Sequence, residues 1–296
     1  MEYKIEIACN QLNKLGEGPV WDSVRKTICW ADIINGEIHE LDPSTKSHSI
    51  IQVNEMVGSF SIRSNGDFVA ALQHGFSFIN RKSGDKIFIG DPESGQPENR
   101  FNDGKCDPAG RFWAGSMSFN TTDASGHLYL LDQNLVIHNK INGITISNGL
   151  DWSLDKKTFY YIDTPTFQVD AFDYDNATGE ITNRRKAISI PREEGFPDGM
   201  CIDMEGMLWI AHWGGWQITR WDPGSGEKLL SIKLPVSQVT SLCFGGAQLK
   251  DIYITSAREG LSEEDLEKEP LAGSLLRISN TAFIGQKSNE FIHLHK

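Results

Sequence analysis

Four residues with oxygen-bearing side chains, Glu17, Asn102, Asn148 and Asp198, occupy matching points of a repeated pattern. Each lies about ten residues ahead of a short apolar run. Their settings are Gly16-Glu17-Gly18-Pro19-Val20-Trp21, Asn102-Asp103-Gly104, Ser147-Asn148-Gly149 and Pro197-Asp198-Gly199. Taken singly, Asn-Gly and Asp-Gly are turn dipeptides whose short side chains cap local backbone groups. Glu17 does not fit that explanation, because glutamate is a poor turn former and it shares the register. Four such positions in one register point to a cation site or a catalytic site. Carboxylate and amide oxygens suit hard divalent cations, and without His or Cys in the set zinc has no preference. A site with three protein ligands leaves positions for water and substrate.

The elements that would position these groups form six repeats. A short β-type run recurs as Thr27–Asp32, Asp67–Leu72, Arg111–Ser116, Thr158–Asp163, Met207–His212 and Asp251–Ser256, at intervals of roughly 40 to 49 residues. Each is preceded by a strand and a turn. Where the pattern is clearest, two more strands follow, separated by turn signals such as Asp222-Pro223-Gly224-Ser225-Gly226. The expected fold is all-β: one six-bladed β-propeller over residues 1–296, four antiparallel strands per blade. A pair of β-sandwiches would also satisfy the strand count. Tyr3–Ile7 is expected to pair into the last blade and close the ring. A short helix is expected at 262–268, where Ser262 precedes an acidic first turn.

In such a ring the first strand of each blade lines the channel, so the four candidate residues converge on one mouth. The second strands return to that mouth at Ser118-Phe119-Asn120, Asp163-Thr164-Pro165, His212-Trp213 and Arg258-Glu259. Aromatic and hydrogen-bonding groups there suit a sugar ring. Of the scattered histidines only His127 and His212 merit attention, and Lys105 is expected to pair with an acid. No G-x-S-x-G elbow, H-E-x-x-H pair or phosphate-binding loop is present.

Composition limits the partners. The chain of 296 residues has 40 acidic against 28 basic side chains, a formal charge of −12, which disfavours nucleic acid and anionic membranes. The 5 cysteines form no CxxC pair, and at least one thiol must stay free, which suits a reducing, cytoplasmic location. No apolar stretch resembles a signal peptide or a spanning helix.

Several stretches together resemble the gluconolactonase, regucalcin (senescence marker protein) and luciferin-regenerating enzyme family. They are Gly16–Trp21, Asn99–Lys105, Asp107–Arg111, Ser147–Ser153, Tyr160–Asp163, Val169–Asp175, Pro197–Asp203 and Cys243–Gly246. Arg258–Ser262 and Pro270–Ser274 resemble its bacterial sugar-lactonase branch. The resemblance implies a six-bladed propeller and one divalent cation (calcium, zinc, manganese, magnesium or iron) held by Glu17, Asn148 and Asp198. It implies that Arg100 and Asn102 contact substrate and that Asp198 is the general base. Near Asn120, animal relatives often carry an acid; an amide there can still bond hydroxyls.

The expected activity is hydrolysis of a sugar lactone to its aldonic acid by a monomer or weak homo-oligomer. Arg100 would orient the ester, Asn102 and Asn120 would read hydroxyls, and Asp198 or water activated by the cation would deliver the nucleophile. A calcium-binding regulatory or scaffold propeller, and a hydrolase of another cyclic or activated ester, are the alternatives.

Overall fold

The computed structural model describes residues 3–121 and 124–294. Met1, Glu2, Thr122, Asp123, His295 and Lys296 lie outside the described residues, and the domain expected over 1–296 is seen without them. Six four-stranded sheets, five in simple up-and-down order and the sixth completed by the N-terminal strand, surround a channel, so the protein is a six-bladed β-propeller.

The pattern of burial explains the blades. The second strands Thr27–Asp32, Phe68–Leu72, Phe112–Ser118 and Leu208–Trp213 are buried along almost their whole length, because neighbouring blades cover both faces. The outermost strands alternate or turn polar, as in Glu180–Ser189. Aromatic side chains fill the wedge between blades: Trp113 of the third blade meets Phe159 and Trp152 of the fourth at 5.0 and 5.9 Å between ring centres. Asp107 accepts from Trp113 Nε1 and Arg111 Nε, and Asp203 repeats this with Trp209 Nε1 and Arg220 Nε. In these two blades a single carboxylate thereby satisfies a buried indole and a buried guanidinium donor.

Ring closure follows the expectation. Ile5–Cys9 pairs antiparallel with Leu275–Ile278 and becomes the outer strand of the sixth blade. This covers an edge that would otherwise be unpaired. The helix Glu263–Lys268 carries a capping box from Ser262 and Asp265. All five cysteines are free and buried.

One local feature differs from the sequence reading and sets up the site. The candidate residues do not precede the inner strands but lie inside them. Every inner strand slips register at the same height: between Glu17 and Val20, Val57 and Ser59, Phe101 and Gly104, Asn148 and Leu150, Pro197 and Met200, and Val239 and Ser241. These are β-bulges, which re-aim side chains. The Asn-Gly and Asp-Gly pairs therefore mark bulges rather than turns.

Their glycines serve close approach. A Cβ on Gly58 would stand 2.5 Å from the Phe101 carbonyl carbon, and one on Gly149 would stand 2.6 Å from the Asp198 carbonyl oxygen. Each bulge is thus pressed against the next blade. Gly58→Ala is expected to destabilise the protein by about 1–3 kcal/mol through overpacking, read as a lower urea midpoint with unchanged slope.

Candidate metal and active site

The bulges bring Glu17, Arg100, Asn102, Asn148 and Asp198 to one cavity of about 570 Å³ at the channel mouth. Glu17, Asn148 and Asp198 are each 4–5% exposed. A chain of hydrogen bonds holds the polar floor. Arg100 Nη1 donates to the Phe101 carbonyl (3.0 Å) and to Asn102 Oδ1 (2.7 Å). Asn102 Nδ2 donates to the Ser147 carbonyl (2.8 Å) and Asn148 Oδ1 (3.0 Å). Asn148 Nδ2 donates to Thr164 Oγ1, whose hydroxyl donates to the Pro197 carbonyl, both at 2.8 Å. The amide oxygens and guanidinium are therefore fixed before any ligand arrives.

The carboxylates are not balanced in this way. Glu17 Oε2 accepts the N–H of its neighbour Gly18 at 2.9 Å, and Asp198 Oδ1 is buried with no hydrogen-bond partner. Burial, reinforced by the negative charge of Asp103, pushes the Glu17 carboxyl up to about 8. Burial and the neighbouring Glu17 and Asp103 charges hold Asp198 well above the usual carboxylate range. Burial lowers Arg100 to about 10 against the opposing pull of Glu17, Asp198 and Glu259. One guanidinium does not neutralise this cluster.

A buried, orphaned carboxylate oxygen beside a second carboxylate and an oriented amide oxygen fits a hard divalent cation. Among the described residues no group of three or more His, Cys, Asp or Glu side chains is set to hold a metal ion. A cation here would draw on the Asn148 amide as well as on Glu17 and Asp198. Because Glu17 holds its proton near neutrality, and Asp103, which burial raises to about 6, holds one only at lower pH, cation binding is expected to release protons. Affinity should rise as pH increases from about 6 to about 8, measured by calorimetric titration in buffers of different ionisation enthalpy.

Asp103 is the residue that sequence reasoning did not single out. It follows Asn102 within the bulge and lines a smaller cavity of about 70 Å³ further down the channel. Below it, Lys105 Nζ donates to Asp151 Oδ2 (3.0 Å) and the Met200 carbonyl (2.7 Å), the expected pairing with an acid. Residues Gln286–Asn289 line that cavity from the C-terminal segment.

Other expected positions fall differently. Thr121 lines the main cavity; exposed Asn120 is not among its lining residues, and its backbone N–H donates to Ser118 Oγ. Thr164, Pro165, Trp213 and Glu259 do reach the cavity from the returning strand ends. His212 is fully buried against Thr219 Oγ1 at 2.6 Å, and burial lowers it to about 4. His127 contacts Glu93 at 3.0 Å. Neither lines the cavity.

Fold and site together define a six-bladed propeller with one polar, carboxylate-bearing pocket at the mouth of its channel. The model of the SMP-30/gluconolactonase/LRE-like region matches residues 15–258, and the chain belongs to that family. It is 40% identical to regucalcin of Xenopus laevis over 95% of this chain and 96% of that one. It is equally identical, over the same shares, to regucalcin of Homo sapiens. Among solved structures, a luciferin-regenerating enzyme superposes with a TM-score of 0.92 at 31% identity, over 99% of this chain and 100% of that one. A calcium-binding protein, regucalcin, of Agrobacterium tumefaciens superposes at 0.94 and 25% identity, with 99% of each chain covered. Among the described residues no helix is long and apolar enough to cross a membrane.

Proposed function

We propose that the protein hydrolyses a sugar lactone to its aldonic acid, with a divalent cation held by Glu17, Asn148 and Asp198. The observation that carries this reading is the orphaned Asp198 oxygen, buried beside Glu17 in a cavity that also holds a fixed guanidinium and two fixed amides. When bound, the cation supplies Lewis-acid polarisation of the lactone carbonyl.

The chain's own groups do the rest. Arg100, anchored through Nη1, has its other N–H groups left to orient the ester oxygens. The Asp198 carboxylate accepts a proton from the attacking water. The acyl–oxygen bond of the ring breaks, the ring oxygen takes up a proton, and the product is an open-chain hydroxy acid. Asn102 Oδ1 contacts hydroxyls at the floor, and Asn120 would do so only from the rim.

The test is a pH-stat assay over a panel of lactones with and without chelator. Chelator-sensitive acid release from at least one aldonolactone is expected; its absence across the panel would overturn the reading. A second reading, calcium binding without turnover, draws on the similar structure described as a calcium-binding protein. It predicts calcium binding with no acid release.

A further inference from the structure

The hydrogen bonds of the cavity leave few groups to read hydroxyls. Thr164 Oγ1 both donates and accepts within the protein, and both Asn148 amide atoms and the Asn102 Nδ2 group are already engaged. Apart from the cation-site carboxylates Glu17 and Asp198, what remains toward a ligand is the outer part of Arg100, the second lone pair of Asn102 Oδ1, the Thr121 hydroxyl and the Glu259 carboxylate. A fully hydroxylated aldonolactone bears a hydroxyl on nearly every carbon, including its exocyclic hydroxymethyl group. Buried hydroxyls without partners weaken binding.

The rest of the wall is apolar. Leu15, Met117, Ile146, Pro165, Phe196 and Trp213 line the cavity from four different blades. They are built into the frame: Met117 bridges to Ile146 between blades, and Phe196 pairs with Trp213 across one sheet. Phe196 is 47% exposed yet held in place, its ring centre 5.0 Å from that of Phe167.

Phe167 takes a left-handed backbone conformation, φ 53°, at the end of the turn Thr164–Thr166. A bulky side chain seldom adopts that conformation, and such strain persists where the surroundings enforce it. Trp216, in the loop after Trp213, is likewise left-handed, φ 58°, and 41% exposed. Both left-handed aromatic residues thus stand in loops close to wall residues, Phe167 with its ring against Phe196 and Trp216 three positions after Trp213.

We infer that the preferred substrate is a lactone bearing an alkyl group where common aldonolactones bear the hydroxymethyl group. This rests on the lactonase reading and narrows it. The floor engages the ester, and the Leu15, Met117, Ile146, Pro165, Phe196 and Trp213 wall receives the alkyl group. A hydroxymethyl group against the same wall would be stripped of water without gaining a partner.

The test compares kcat/KM for gluconolactone with that for its analogue carrying methyl in place of hydroxymethyl, using cation-loaded protein. The expected result is a preference of about tenfold or more for the methyl analogue. Ile146→Thr and Phe196→Ser, each checked for an unchanged melting temperature, should reduce that preference by raising KM for the methyl analogue. Equal values, or faster hydrolysis of gluconolactone, would overturn the inference and leave the lactonase reading standing. Hydrolysis of neither lactone above the rate of Asp198→Ala would overturn both.

Discussion

Asp198→Asn is expected to lower kcat/KM for a hydrolysed lactone by about a thousandfold or more, because in the proposed mechanism it removes the proton acceptor and one charge of the cation site together. The substitution preserves size, and Asp198 is packed in a strand whose backbone is held by its neighbours. Its effect on folding runs the other way. In the cation-free protein burial and the charges of Glu17 and Asp103 penalise an ionised Asp198. Removing that charge is expected to leave the melting temperature unchanged or higher at alkaline pH. Lost activity with retained or raised stability is a combination that mere misfolding would not produce. It is checked by stopped-assay kinetics beside thermal melts at several pH values.

Glu17→Gln separates cation holding from proton transfer. It leaves Asp198 intact but removes the second carboxylate of the cluster, so cation affinity is expected to fall by about a hundredfold or more. Activity at limiting cation should collapse and then return in large part when excess cation is added. Asp198→Asn should not be rescued in this way. The proton balance should change as well. In cation-free wild type, Glu17 keeps its proton up to about pH 8 in the fold, whereas an exposed glutamate loses it near 4.5. Its raised value therefore gives stability below the lower pH that is lost progressively as pH rises towards the higher one. The amide of the variant does not titrate, so this part of the pH dependence should disappear.

Much of this site follows from repetition. Thr27–Asp32, Thr158–Asp163 and Asp251–Ser256 are strands with the same limits that their β-branched and aromatic composition indicates. Knowing one strand per repeat fixes where its inner neighbour must lie, and with it the height of Glu17, Asn102, Asn148 and Asp198. The bulge was not legible, because Asn-Gly and Asp-Gly serve turns and bulges alike; only pairing across the sheet distinguishes them. Asp103 was hidden for the same reason, reading as half of a turn pair when it is a buried carboxylate that raises its neighbours. At the rim the strand ends indicated the right segment but not the right side chain, since Thr121 rather than Asn120 lines the cavity.

The C-terminal segment carried no periodic signal at all. It crosses the far side of the ring through single contacts, such as the bridges Arg63–Phe291 and Asp203–Gly285, and the bond from Asn289 Nδ2 to the Cys106 carbonyl. Isolated bridges need no alternating pattern, so nothing in the residues of that segment indicates where it lies.

The central claim is that Glu17, Asn148 and Asp198 hold a cation on which lactone hydrolysis depends. The most direct measurement is a calorimetric titration of chelator-treated protein with calcium, manganese and zinc, with a lactone assay on each titrated sample. The predicted result is one bound ion per chain and hydrolysis that rises in proportion to occupancy. Full activity in the cation-free protein, or a filled site that hydrolyses no lactone, would contradict it.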